Sequence, residues 1–414
     1  MNPSSFSHIT AQSPYSVSAP LAAPKPVLKI LGLGGGGCNA VNRMIELGIH
    51  GVDFICANTD HQALRNSLAP VKIQLGPKTT RGLGAGGNPA IGKAAAEESF
   101  RDISAALEGA DMVFLTAGMG GGTGTGSIPV AAKIARAQGA VTIGIVTTPF
   151  SFEMGRRQKN ANEGIAMLRP NTDTLIAIPN ERLLYVAPKN ISMDVAFRIA
   201  DDILRQAVQG ITELITEPGM INVDFAHVRH IMKLGGGALM SIGMGEGDNK
   251  ARKAVEEALY HPLLESISID NAAGILVNFT CGRDLSLFEV EAALSFLQNQ
   301  AGQQAEIVLG VVNDDSMNDK VQAILVITGL GAVSLEEMMP GFKPARKPSE
   351  AARLSEAAPT PETVSEPASH QEAVQVVEKH ISQHSAPLKS SIPAAASTNL
   401  DIPSFLRRPR SNYG

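Results

Sequence analysis

Tryptophan is missing from this chain of 414 residues, aromatic side chains make up only 4% of it, and there are three cysteines. Cys38, Cys56 and Cys281 are too few, odd in number and too far apart for a disulfide framework or a structural zinc module, which suits a reducing cytosol. Charge is sparse as well. Asp, Glu, Lys and Arg amount to 18% and the formal net charge is −5, with a pI near 6.0. The body of the protein therefore has no basic field to hold nucleic acid or a membrane surface. No run of about 18 residues is apolar and uncharged as a membrane span requires. The Ser-, Ala- and Pro-rich start, 1–26, has neither the cationic opening nor the long apolar core of a secretory signal, so a cytoplasmic protein is expected. A Walker P-loop, Gly-x4-Gly-Lys-Ser/Thr, is absent too. With 44% hydrophobic residues the chain can still bury one large core or two ordinary ones.

Glycine is what the chain has in quantity, 40 residues of it. Gly118 to Gly126 read Gly-Met-Gly-Gly-Gly-Thr-Gly-Thr-Gly, after the apolar run Asp111–Ala117 and before the helix-like Ser127–Gln138. Backbone amides in such a loop can converge on an anion, threonine hydroxyls add donors, and the following helix points its positive end at the same spot. A second glycine-rich turn, Gly32 to Gly37, follows the first apolar run and satisfies Gly-x-Gly-x-x-Gly; a third runs from Gly82 to Gly87 before Pro89. Three such turns from three strands can surround a triphosphate. A dinucleotide-dependent oxidoreductase, the competing reading, concentrates on one.

Composition divides the chain into an arm (1–26), a globular region (27 to about 331), a Pro-, Ala- and Glu-rich linker (332–398) and a distinct tail (399–414); the arm and linker cannot bury enough apolar surface to order themselves. Within the globular region Val27–Leu33, Val52–Asn58, Val71–Leu75, Met112–Thr116, Val141–Thr147 and Thr174–Ile178 read as strands, with helices near 38–48, 89–107, 125–138 and 155–168. This alternation predicts an α/β, doubly wound parallel sheet with ligands at the carboxyl ends of its strands. A long helix, about Met193 to Ile215, is expected to join it to a smaller mixed α/β domain built on Gly237–Met244, Gly274–Thr280, Glu306–Val312 and Gln322–Thr328.

The motifs at Gly34–Asn39, Asn58–Asp60, Gly84–Pro89, Gly118–Gly126, Pro149–Glu153 and Asn222–Ala226 together resemble the FtsZ family, bacterial tubulin-like cell-division GTPases, in order over about 27–331. The resemblance implies a tubulin/FtsZ-like fold with a GTP-binding domain at 27–192, a central helix at 193–216 and a C-terminal domain at 217–331. It implies GTP and GDP as ligands, with Mg2+ carried by no dedicated set of protein ligands. Gly34, Gly35, Gly36, Gly37, Gly84, Gly86 and the loop Gly120, Gly121, Gly122, Thr123, Gly124, Thr125, Gly126 would surround the phosphates, with Asn58 and Asp60 near the metal. Glu153 and Arg157 would contact ribose and phosphate. Asn39, Asn180, Phe197 and Asp201 would form the base pocket, where the Asp201 carboxylate selects guanine over adenine.

One departure stands out. The family ordinarily carries two aspartates three residues apart after the central helix, which polarise the attacking water in the neighbouring subunit's site. Here Asp224 is present and His227 takes the second place. Three outcomes are open: imidazole acting as base, an inert residue that leaves Asp224 to support slower turnover, or a cation that nearly ends hydrolysis and leaves a GTP-binding scaffold. Retained but reduced turnover is expected. A site completed by the neighbour implies head-to-tail filaments, with the chain itself as first partner. In the tail, Leu400, Asp401, Ile402, Pro403, Phe405, Leu406 and Arg407 are similar to the family's C-terminal peptide, which docks onto membrane adaptors and regulators of the division ring. A cytoplasmic location at mid-cell, on the inner face of the membrane without insertion into it, follows from the same resemblance.

Overall fold

The structure, a computed structural model, describes residues 25–330 except 154, 186–189, 218, 236, 263, 265–268, 271 and 303. The arm up to residue 24, the linker and the docking peptide at 400–407 lie outside the described residues.

The apolar runs form β1 (Leu28–Leu33), β2 (Asp53–Asn58), β3 (Val71–Gln74), β4 (Met112–Gly118), β5 (Val141–Thr148) and β6 (Thr174–Pro179), all parallel. They read as continuous hydrophobic stretches because both faces of the sheet are covered; β5 is buried at every position. Between them run α1 (Gly34–Glu46), α2 (His61–Arg65), α3 (Pro77–Thr80), α4 (Pro89–Glu98), α5 (Phe100–Leu107), α6 (Thr123–Ala137), α7 (Arg156–Leu168) and α8 (Asn180–Leu183). The rest of the chain supplies α9 (Met193–Thr216), α10 (Phe225–Lys233), β7 (Gly237–Glu246), α11 (Lys250–Leu259), β8 (Gly274–Cys281), α12 (Leu287–Ala301), β9 (Glu306–Asn313) and β10 (Lys320–Leu330). Side chains alternate across the strands. Leu31, Leu33, Ile55 and Ala57 enter a core shared with α4 to α7; Ile30, Phe54 and Cys56 enter another, shared with Val41 and Met44 of α1 and Ile203, Ala207 and Ile211 of α9.

Three expectations are corrected. The two halves are joined by the sheet as well as by the long helix: Leu175 and Ile176 of β6 pair in parallel with Gly237 and Ala238 of β7, giving one ten-stranded order β3-β2-β1-β4-β5-β6-β7-β10-β8-β9. The predicted helix 89–107 is divided at Ser99, whose hydroxyl donates to Gln74 O at 3.1 Å and accepts from Gly76 N at 3.0 Å, tying the junction of α4 and α5 to the segment that ends β3. The helices near 38 and 125 begin earlier, at Gly34 and Thr123, so the glycine runs include their first turns. Cys38 and Cys56, distant in sequence, meet in one core layer; Cys38 Sγ lies 3.8 Å from the carbonyls of Gly32 and Ala57 and both thiols are free. Among the described residues no helix is long and apolar enough to cross a membrane.

Candidate functional site

A cavity of about 390 Å³ opens where β1, β2, β4, β5 and β6 end and their following loops begin. The phosphate candidates Gly35, Gly36, Gly84, Gly86, Gly121, Gly122, Thr123 and Gly124 line it, together with Asn58 and Asp60. So do Glu153, Arg157, Asn39, Asn180, Phe197 and Asp201. Residues contributed by α1, α6, α7 and α9 thus converge from distant parts of the sequence. A parallel sheet requires this, since all its strand ends of one kind lie along one edge.

Five predicted residues do not line the cavity, and packing accounts for them. Gly37 holds α1 against β4: a Cβ there would meet Thr116 O at 2.3 Å. Gly126 does the same for α6 on α4, where a Cβ would lie 2.0 Å from Pro89 O. Gly34, at φ +70°, lets α1 approach Gly124 N, and Gly120 adopts φ +100°. Thr125 is buried and accepts from Gly120 N–H at 2.8 Å, fixing the loop from within. The sequence reading also missed lining residues, chiefly Thr147, Thr148 and Pro149 at the end of β5. Their signal was position: they end a predicted parallel strand, and ligands gather there.

Loop-to-loop bonds set the wall. Thr59 Oγ1 lies 2.6 Å from Thr123 Oγ1, joining the turn after β2 to the first turn of α6. Asp60 caps α2 by accepting from Gln62 N at 2.9 Å and Ala63 N at 3.2 Å. Two buried polar atoms at the wall, Asn58 Nδ2 and Asn180 Oδ1, have no hydrogen-bond partner. Since orphaned buried polar groups are costly, their presence in a cavity points to a polar ligand. Arg157, the cation among the lining residues, pairs with Glu153 at 2.5 Å, and Glu153 also accepts from Phe150 N at 3.0 Å. Phe197 stands edge-on to Phe150, with ring centroids 5.4 Å apart, and Phe150 stacks on Phe152 at 5.1 Å. Burial pushes the Asp201 carboxyl up to about 8, while the charge of Arg43 pulls it down and that of Asp202 pushes it up. The site therefore has a donor-rich end of helix termini and an apolar end holding one acid.

Asp224 and His227 are nowhere near it. Phe197 and Asp201 sit in the opening turns of α9, which at 1.5 Å per residue extends about 36 Å. Its last residue, Thr216, packs against Gly51 just before β2, at the opposite edge of the sheet from the cavity. The next helix, α10, stays at that edge: Thr174 Oγ1, on the first residue of β6, donates to Met232 O at 2.5 Å. Asp224 is exposed and caps α10 by accepting from Ala226 N at 3.0 Å, and His227 is exposed one turn on.

The Tubulin/FtsZ family GTPase-domain model matches residues 27–188, and the FtsZ family C-terminal domain model matches 236–331. Among solved structures, an empty FtsZ dimer from M. jannaschii is 44% identical with a TM-score of 0.71, covering 74% of this chain and 89% of that one. CetZ2 from Haloferax volcanii, a GTPγS-bound protofilament, is 19% identical with a TM-score of 0.62 over 75% of this chain and 96% of its own. CetZ1 from the same organism, a GDP-bound monomer, is 21% identical with a TM-score of 0.65 over 76% and 98%. At those identities the two share the fold alone. With both domain models matched in order and 44% identity across most of an FtsZ chain, the protein belongs to the FtsZ family of tubulin-like GTPases and is a guanine-nucleotide-binding enzyme.

Proposed function

We propose that one subunit binds GTP in the cavity and that hydrolysis takes place only when a second copy brings its Asp224 to that cavity. The observation that carries this reading is the separation of Asp224 from the cavity by the length of α9. Backbone N–H groups of the first turns of α1 and α6 hold the phosphates without needing side-chain charge. Asn58 Nδ2 donates at the phosphate end. Glu153 accepts from the ribose hydroxyls while its ion pair aims Arg157 at phosphate. Phe197, steadied by Phe150, stacks on the base, and Asp201 accepts from N1–H and the exocyclic amine of guanine. The donor set fits a metal-bearing triphosphate, because neutral amides leave its charge uncompensated. Mg2+, supplied with the nucleotide and held on its oxygens near Asp60, would neutralise that charge.

Asp224 orients the attacking water from the neighbouring subunit, and His227 in place of a second carboxylate leaves turnover retained but reduced. The family assignment favours this enzyme over a non-hydrolysing scaffold. The contact is heterologous, so it repeats without closing and builds a filament with GTP in each interface. The FtsZ dimer among its relatives supports self-association. We infer further that the filament forms the division ring at mid-cell and that the peptide at 400–407 ties it to adaptors and regulators on the inner membrane face. Sedimentation at micromolar protein tests assembly: pelleting with GTP but not with GDP is expected, and no nucleotide dependence would overturn the filament reading.

A further inference from the structure

Arg43 stands on α1 one turn beyond Asn39 and outside the nucleotide cavity. It lines a second, smaller cavity of about 110 Å³ with Asn42, Glu46 and Arg198. Asn39 and Asp201 line both cavities, so the two share a wall at the base end. Arg43 Nε is buried without a hydrogen bond, and the guanidinium's ion pair with Glu46 is loose, 3.5 Å through Nη1. The arginines on the α9 side are engaged within their own helix: Arg198 with Asp194 at 3.0 Å and Arg205 with Asp202 at 2.7 Å.

We propose that Arg43 is a positioning residue for base specificity, whose charge acts through the shared wall to ease the ionisation of Asp201 against the base and so sets the preference for guanine over hypoxanthine. The proposal rests on Asp201 as the partner of the base. An ionised carboxylate accepts from both N1–H and the exocyclic amine of guanine. A protonated carboxyl accepts from one of them and turns its own O–H toward the other donor. Hypoxanthine lacks the amine, so ionisation favours guanine and protonation removes that advantage. Burial raises Asp201 toward the protonated form in the ligand-free protein, and Arg43 is the cation that opposes it. The charged groups facing this region are Arg43 and Glu46 from α1 and Asp194, Arg198, Asp202 and Arg205 from α9. One helix thus serves both ends of the nucleotide, phosphates at its first turn and base at its third.

The test is equilibrium binding of GDP and IDP to the full-length protein between about pH 6 and pH 7.5, below the titration of either base. The wild type should prefer GDP increasingly as pH rises. Arg43→Met should lose about tenfold of that preference near pH 6.5, the effect of raising Asp201 by about one unit, with its GDP profile displaced to higher pH and IDP binding unchanged. Arg43→Lys should restore most of the preference. Equal weakening of GDP and IDP at every pH, or an unchanged ratio, would overturn the proposal. Asp201→Ala separates the two claims: it should abolish the preference for GDP. If it does so while Arg43→Met leaves the ratio alone, only the role of Arg43 falls; if Asp201→Ala keeps the preference, the base reading falls and the role of Arg43 with it.

Discussion

The two ends of the subunit are built for different degrees of completeness. At the nucleotide end, strand ends and helix termini of one chain enclose a cavity whose wall already holds two buried polar atoms awaiting partners. At the other end Asp224 is exposed and spends its carboxylate capping its own helix. On the proposed reading a single chain suffices to bind, whereas hydrolysis waits for a neighbour. Such an arrangement would make the ligand a component of the assembly contact and would allow turnover to be altered without touching affinity.

The sharpest way to break this contrast is at Asp224. Asn caps a helix about as well as Asp, so Asp224→Asn should leave melting and GDP affinity unchanged while steady-state GTP turnover falls about a hundredfold or more, the scale of losing a preorganised electrostatic group. An equal loss of GDP affinity would place Asp224 in the binding machinery instead. The next largest effect separates glycines within one loop. A Cβ on Gly121 meets nothing within 4 Å, so Gly121→Ala should keep its thermal stability yet weaken GDP binding about tenfold or more by standing where phosphate belongs. Gly126→Ala should do the reverse, losing about 1–3 kcal/mol of stability because α6 must move off Pro89. Comparable melting for the two variants would contradict the division into lining and packing glycines.

The pH dependence of binding sharpens the comparison further. A carboxyl near 8 in the empty site that is ionised against guanine must release a proton on binding below that pH. GDP affinity should therefore rise with pH, by at most about tenfold per unit, and level off above about 8. Calorimetry in two buffers of different ionisation enthalpy reads the proton directly, and its absence at pH 7 would contradict an ionised Asp201 in the complex. The smallest expected change is at His227: His227→Asp should raise turnover severalfold, and an unchanged rate would mean that the imidazole costs nothing.

Much of this site was legible in the sequence because its parts are local. A glycine run between a buried strand and a helix announces an anion cradle, and the strand–helix alternation says where such cradles gather. What stayed hidden depends on neighbours far away in the chain. Gly35 and Gly37 look alike in sequence, and only the approach of Thr116 distinguishes the packing glycine from the lining one. The joining of β6 to β7 involves two residue pairs across some sixty intervening residues, too short a pairing to leave a pattern. The division at Ser99 coincides with bonds to Gln74 and Gly76, which lie far back in the chain. Asp201 was named by resemblance and does line the cavity, but its altered proton affinity is a property of what surrounds it.

The central claim is that cavity and Asp224 work in trans, and complementation tests it most directly. Gly121→Ala subunits keep Asp224 but bind nucleotide poorly; Asp224→Asn subunits bind nucleotide but lack the carboxylate. GTP turnover of an equimolar mixture should clearly exceed the sum of the two variants measured alone, because each Asp224→Asn cavity can be completed by a Gly121→Ala neighbour. A mixture no more active than that sum would contradict a site shared between subunits.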